Sequence, residues 1–206
     1  IGDPLVITAE TTLPVTFSLM TLEATEKSAI NIIATHPHAE SQCRSYIAKN
    51  FPNAQVIETT STAAAAKGLS KGEYDGAIAA PIAAKNYKLK VVAENIGDNT
   101  AAVTRFVVVE KPGKVGAPTG NDRTSLAVFI AIDHAGALLE VLNEFAKHQV
   151  NLTFIQSRPT GLELGHYHFI IDIQGHIDEP AVSAALAGLK VICEDIRFLG
   201  SYPQAK

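Results

Sequence analysis

Between residues 30 and 93 the chain runs three times through one unit: a short β-branched apolar run, a polar or proline-bearing junction, and a helix-like stretch. The first pass takes residues 30–34 as a strand, Thr35-His36-Pro37-His38 as the junction and residues 39–50 as a helix. Pro37 suits a first helical position, because its missing N–H would have found no intrahelical partner. The second pass has a strand at 54–58, a polar turn at 59–62 and an alanine-rich helix at 63–69 that stops near Gly72. The third covers 75–80, 81–86 and 89–93. Residues 5–9 and 14–20 add two strands at the front. Strands alternating with helices predict an α/β lobe with a largely parallel sheet and helices on its faces.

In open α/β sheets ligands gather beyond the carboxyl ends of the strands, where helix N-termini offer free N–H groups and a partial positive charge. Two strand-to-helix junctions carry hydroxyls there: Thr35 at the first, and Thr59, Thr60, Ser61 and Thr62 at the second. Spacing alone favours ordinary helix capping, which contributes ~1 kcal/mol per cap. The functional alternative is that both junctions cradle a small carboxylate-bearing molecule against an opposing surface.

The stretch 101–110 puts the Thr104 hydroxyl and the Arg105 guanidinium at the head of a β-branched run. A linker at 111–121 follows, punctuated by Gly and Pro and without periodicity. Beyond it lies a separate small module with a strand at 124–132, Asp133 as N-cap, and a helix at 136–148 in which Leu138, Leu142 and Phe145 recur at helical spacing. Strands at 150–157 and 164–173 joined by a turn at 158–163, a helix at 179–186 and a strand at 190–199 complete it. In the third of its strands Tyr167, Phe169, Ile171 and Ile173 share one face, with His166, His168 and Asp172 on the other. Both histidines are expected to face solvent or an interface. The order β-α-β-β-α-β is the split βαβ, ferredoxin-like arrangement.

The 206 residues suffice for one or two domains, and 47% hydrophobic content is ample for cores. A charged fraction of 18% and a net charge of -4 argue against a general phosphate-backbone binder, so no nucleic-acid partner is expected. Cys43 and Cys193 stand far apart, which indicates neither a disulfide framework nor a zinc cluster and fits a reducing, cytoplasmic setting. No apolar run approaches the ~20 residues that span a bilayer, so no membrane partner is expected. The chain begins at Ile1 and not at Met, which points to a fragment or processed product.

The order Thr35-His36-Pro37-His38-Ala39, Gln42-Cys43-Arg44, Ser61-Thr62-Ala63 and Thr104-Arg105-Phe106 resembles the prephenate dehydratase family. In that family a Ser-His-Pro-Gln segment, a following Gln, a Ser-Thr-Ala segment and a Thr-Arg-Phe signature recur in this order. Thr35 stands where the family has Ser, and His38 where it has Gln. The Asn usual before the signature Thr is missing, with Asn99 the nearest candidate. The resemblance implies a periplasmic-binding-protein-like (type II) catalytic domain, of which residues 1–110 form mainly the second lobe. The family's glycine-rich opening and Glu-Asn-Ser segment would lie before Ile1.

The implied reaction turns prephenate into phenylpyruvate, water and carbon dioxide, without metal or other cofactor. A metal at His36 and His38 is disfavoured by the intervening Pro37 and the lack of nearby carboxylates. By resemblance Thr104 assists the leaving hydroxyl and Arg105 positions a carboxylate, its alternative being a structural ion pair. Thr35, Gln42, Ser61 and Thr62 would line the substrate, as would Phe106, for which core packing is the leading alternative.

Residues 122–206 resemble an ACT regulatory domain. The carrying segments are Gly136-Ala137-Leu138 and Asn151-Leu152-Thr153, followed by Ser157-Arg158-Pro159, with Gln156 in place of the family's Glu. The resemblance implies that Ala135, Gly136, Ala137, Leu138, Asn151, Leu152, Gln156, Ser157, Arg158 and Pro159 bind L-phenylalanine as effector. The two segments would meet across the interface of a homodimer or homotetramer. A competing reading is a catalytically incomplete fragment that binds an amino acid and oligomerises, because a cleft needs two walls. A transport-type binding protein is disfavoured by the missing signal pattern and the ACT-like module.

Overall fold

The computed structural model describes residues 4–130, 134–159 and 167–205. The predicted cap Asp133, His166, the turn residues 160–163 and the strand ends at 131–132 and 164–165 lie outside them. In chain order the elements are β1 (Val6–Pro14), β2 (Ser18–Thr21), β3 (Ile32–Thr35), α1 (Pro37–Gln42), α2 (Arg44–Asn50), β4 (Gln55–Glu58), α3 (Thr62–Ser70), β5 (Gly76–Ala79), α4 (Ile82–Tyr87) and β6 (Lys90–Ala93). They continue as β7 (Val103–Glu110), β8 (Asp122–Ile130), α5 (Ala137–Lys147), β9 (Leu152–Pro159), β10 (Tyr167–Gln174), α6 (Pro180–Ile192) and β11 (Cys193–Pro203). The chain divides into two compact units, Leu13–Thr104, and Ile1–Thr12 with Arg105–Lys206.

In the first unit one sheet has the order β4-β3-β5-β2-β6. β3 runs parallel to β4 and β5, whereas β2 is antiparallel to β5 and β6. The expected parallel sheet thus carries one reversed strand, because β2 precedes the first helical crossover. The predicted strand at 14–20 is broken: β1 ends at Pro14, and the Val15 N–H donates to the Ala102 carbonyl before β2 begins. Ala65, Ala66, Ala77 and Ala79 pack with Met20 and Leu69 in one buried cluster, where small side chains let helix and sheet approach closely.

The predicted helix at 39–50 is two helices. Cys43 leaves helical geometry with φ -119° and ψ 13°. The cause is Asp98, whose N–H donates to the Gln42 carbonyl at 2.6 Å and whose Oδ2 accepts from the Ser45 N–H at 3.2 Å. Pro37 takes the first helical position as expected.

In the second unit the sheet order β11-β8-β10-β9 is antiparallel throughout. Val141, Phe145, Val182 and Leu189 from α5 and α6 pack with Leu126, Val128, Ile171 and Ile173 in one core. α6 runs past the predicted end at 186 to Ile192 because Leu189 is a fully buried core residue. Arg158 and Pro159, read as a turn, pair with His168 and Tyr167 inside the sheet. The His168 ring stacks on Phe129 with centroids 5.1 Å apart, so it is half-buried and not a free solvent-facing side chain.

β1 and β7 form a two-stranded ribbon. The β1 backbone lies directly on Gly200 of β11: a Cβ there would collide with the Ile7 carbonyl oxygen, and φ is +149°. Gly200→Ala is therefore expected to destabilise the unit by about 1–3 kcal/mol, read as a lower urea midpoint. Wild-type stability in that variant would show that the ribbon yields without cost.

Candidate functional site at the carboxyl edge of the first sheet

β3 and β4 are parallel neighbours in the register Thr35↔Glu58, so the two hydroxyl-bearing junctions lie side by side. The Thr59 N–H donates to the Thr35 carbonyl at 2.8 Å. Thr35 itself is fully buried, and its hydroxyl donates to the Ile78 carbonyl of β5 at 2.8 Å. Ser61 is the N-cap of α3, accepting from the Ala64 N–H at 3.0 Å, and Thr62 opens that helix. The capping explanation thus describes what the Ser61 hydroxyl does as acceptor, while its proton stays available toward the exposed side. Ser18, fully buried at the start of β2, pairs with Ala79 and so stands at this same edge. Its hydroxyl has no partner among the described residues, and no sequence signal pointed to it.

Gln42 ends α1 with its Nε2 2.7 Å from His38 Nε2. An amide N–H₂ can only donate, which makes His38 Nε2 the acceptor and puts its ring proton on Nδ1. This i,i+4 pair was legible in the spacing of the two residues and was missed. His36 Nδ1 accepts from the His38 N–H at 3.2 Å and caps α1.

From this edge the chain runs on toward Thr104 through a series of fastened positions. Ala93, at the end of β6, pairs with Leu19, and the Ile96 N–H donates to the Phe17 carbonyl at 3.0 Å. Asp98 is fastened to Gln42 as described, and Asn99 Oδ1 accepts from the Ala101 N–H at 3.0 Å, forming the turn before β7. Thr104 leaves the first unit exposed, two residues after Ala102. Phe106 is 51% exposed, so the core packing expected for it is corrected: Val103, Val107, Val108 and Val109 of the same strand are exposed too.

Arg105 belongs to the second unit, where all three of its side-chain nitrogens are bonded. Nε donates to Glu10 Oε2, one terminal nitrogen to Asp172 Oδ2 and the other to the Tyr202 hydroxyl, each at 2.5 Å. Arg123 reaches the same Glu10 oxygen at 3.0 Å, and the Ala205 N–H donates to the other oxygen at 2.9 Å. The Glu10 and Asp172 side chains are 2% and 4% exposed. Burial opposes the Arg105 charge, yet the Asp172 hydrogen bond and the neighbouring charges hold its pKa above the usual value. Burial also raises Tyr202. The structural ion pair, weighed as the alternative for Arg105, describes its contacts here, so the carboxylate-binding fork expected of it is already filled by protein groups.

The residues expected to bind an effector fall at two ends of the second unit. Gly136, at φ +99°, precedes α5, and Ala137 is its first residue, buried, with Leu138 next and Ala135 just before. Arg158 and Pro159 lie in the rows of His168 and Tyr167, and His168 pairs with Phe129 near the end of β8 that leads to Gly136; Gln156 and Ser157 are just inside. Leu152 pairs with Ile173 at the opposite end, beside Asn151, whose carbonyl accepts from the Gln174 N–H at 2.9 Å. At ~1.5 Å per residue, α5 alone separates Gly136 from Asn151 by more than the length of an amino acid.

Burial, reinforced by the Asp98 charge, pushes the Cys43 thiol from 9.0 up to about 12. Its thiolate fraction at pH 8 is then ~10⁻⁴, so labelling by a thiol reagent should wait for unfolding. The linkage has a sign: a raised thiol pKa stabilises below pH 9, and that stability is lost as pH rises toward 12. Rapid labelling of Cys43 in the folded protein would contradict this.

Among the described residues no group of three or more His, Cys, Asp or Glu side chains could hold a metal ion. No helix among them is long and apolar enough to cross a membrane.

Residues 1–114 match the prephenate dehydratase family model, and residues 124–191 match the ACT domain model. A prephenate dehydratase from Amycolatopsis methanolica is 43% identical over 206 residues, covering all of this chain and 67% of that protein. Among solved structures, a prephenate dehydratase in complex with L-Phe from Arthrobacter aurescens has a TM-score of 0.89 at 48% identity, covering 98% of this chain and 67% of that one. GqqA, described as a quorum quenching acylase, has a TM-score of 0.86 at 27% identity, covering 98% of this chain and 73% of that one. The chain spans about two thirds of the length of the curated relatives it matches, 67% to 64% in the first four. With its α/β lobe followed by a βαββαβ module, the chain belongs to the prephenate dehydratase family.

Proposed function

We propose that this protein converts prephenate to phenylpyruvate and that L-phenylalanine, bound at the ACT module, regulates it. The observation that carries the reading is the side-by-side meeting of the Thr35 and Ser61 junctions at the carboxyl edge of the first sheet. The N-terminus of α3, opening beside the Thr35 junction, suits a carboxylate. In the reaction the bond to the ring carboxylate breaks, its electron pair enters the ring as carbon dioxide leaves, and the ring hydroxyl departs as water after taking a proton. Aromatisation supplies the driving force. Thr104 would stabilise or relay that proton; an aliphatic alcohol is a weak acid, so placement and developing charge account for its contribution. Ser61, Thr62 and Gln42 would orient the carboxylates, with buried Thr35 fixing the edge beneath them and Phe106 contributing its exposed ring. Arg105 would act by holding the strand. The named activity of a neighbour as an acylase is a reminder that this fold does not dictate one chemistry. Phenylpyruvate formation from prephenate by the purified protein tests the assignment.

Regulation calls for a second copy of the chain. β9 is a sheet edge with Phe154 and Ile155 45% and 43% exposed. A two-fold pairing along β9 would bring Asn151 and Leu152 of one copy beside the Gln156–Pro159 end of the other, joining the two groups of effector residues. A homodimer is the smallest assembly that meets this, and a homotetramer contains it. Phenylalanine binding measured by calorimetry should disappear in Gly136→Val, since φ +99° excludes a β-branched residue. Unchanged binding would refute this effector site. The exposed apolar side chains of β7 favour a second reading, an amino-acid-binding, oligomerising fragment whose catalytic wall is incomplete. Such a chain would bind phenylalanine and leave prephenate untouched. The reaction's soluble substrate fits a cytoplasmic setting.

A further inference from the structure

Arg105 joins three strands of the second unit, β1 through Glu10, β10 through Asp172 and β11 through Tyr202. Ser125 closes the cluster, donating to Asp172 Oδ1 at 2.5 Å and lying 2.6 Å from the Tyr202 hydroxyl. Asp172 therefore has both oxygens bonded, one of them to the residue that follows Thr104 in the chain. Its strand also pairs with the segment expected to bind the effector: Ile170 faces Gln156, Phe169 faces Ser157 and His168 faces Arg158. The β9–β10 register shifts between Asp172 and Ile173, and the Thr153 hydroxyl donates to the Asp172 carbonyl at 3.3 Å across that irregularity. Asp172 thus sits on the strand that pairs with the expected effector segment, within a buried, fully bonded charge cluster whose members cannot separate singly.

We propose that Asp172, Tyr202 and Glu10 are positioning residues that hold Arg105, and through it the strand carrying Thr104, and that the Asp172–Arg105 pair relays phenylalanine occupancy at β9 to Thr104. This rests on the function proposed above. Tyr202→Phe removes one hydroxyl, and Asp172→Asn removes a charge at constant size. In each variant, phenylalanine affinity is measured by calorimetry and the dehydratase rate is measured with and without saturating phenylalanine. The expected result is affinity within about threefold of wild type, while the effect of phenylalanine on rate shrinks to less than about twofold. A merely structural cluster would lower the melting temperature and leave the response of the folded enzyme intact; that outcome overturns the relay. Wild-type protein inert toward prephenate, or unmoved by phenylalanine, overturns the underlying reading as well, which separates the two failures. If Asp172→Asn does not fold, Tyr202→Phe decides alone.

Discussion

Glu10→Ala is expected to destabilise the second unit by about 3–5 kcal/mol, read as a fall in the urea midpoint with little change in slope. Glu10 is a buried carboxylate that neutralises two guanidiniums, those of Arg105 and Arg123, and accepts the Ala205 N–H. Removing it leaves Arg105 with Asp172 as its carboxylate partner, takes from Arg123 the Glu10 carboxylate it bonds, and removes the acceptor of the Ala205 N–H. Glu10→Gln keeps an acceptor oxygen and should lose less. The cost arises from the uncompensated charges and not from the pair's net worth, so Glu10→Ala combined with Arg105→Met should recover part of the loss. A loss under about 1 kcal/mol in Glu10→Ala would show that water reaches the site and screens it.

Thr104→Ala is expected to lower kcat by about 10²- to 10³-fold with a small change in KM, the signature of a contact made chiefly in the transition state. Thr104 is exposed, so the melting temperature should hold. Thr104→Ser retains the hydroxyl and should recover most of the rate. Equal losses in Ser and Ala variants would move the role from the hydroxyl to the β-branched shape of the strand.

The three passes of strand, junction and helix were legible because β-branched runs, Pro37 and the alanine stretches speak locally, and the split βαβ order followed from the same cues. What local pattern could not carry was decided at a distance. Asp98 breaks the helix after Gln42 from far along the chain, and the approach of β1 to Gly200 depends on a contact between the two ends of the sequence. Arg105 was legible as a charge at the head of a strand, but its partners Glu10, Asp172 and Tyr202 come from three separate strands, so the choice between ligand fork and ion pair had no sequence signature. Phe106 looked like core because aromatic residues in β-branched runs usually are; among the described residues its strand pairs with β1 alone and stays half open. The His38–Gln42 pair was readable from spacing and went unread.

The most direct measurement is steady-state phenylpyruvate formation from prephenate by the purified protein and by Thr104→Ala at matched concentration. Turnover by the wild type that falls about 10²-fold or more in the variant is the predicted result. Equal rates in the two would contradict the role given to Thr104, and a wild type without activity that still binds phenylalanine would replace the catalytic assignment with the regulatory one.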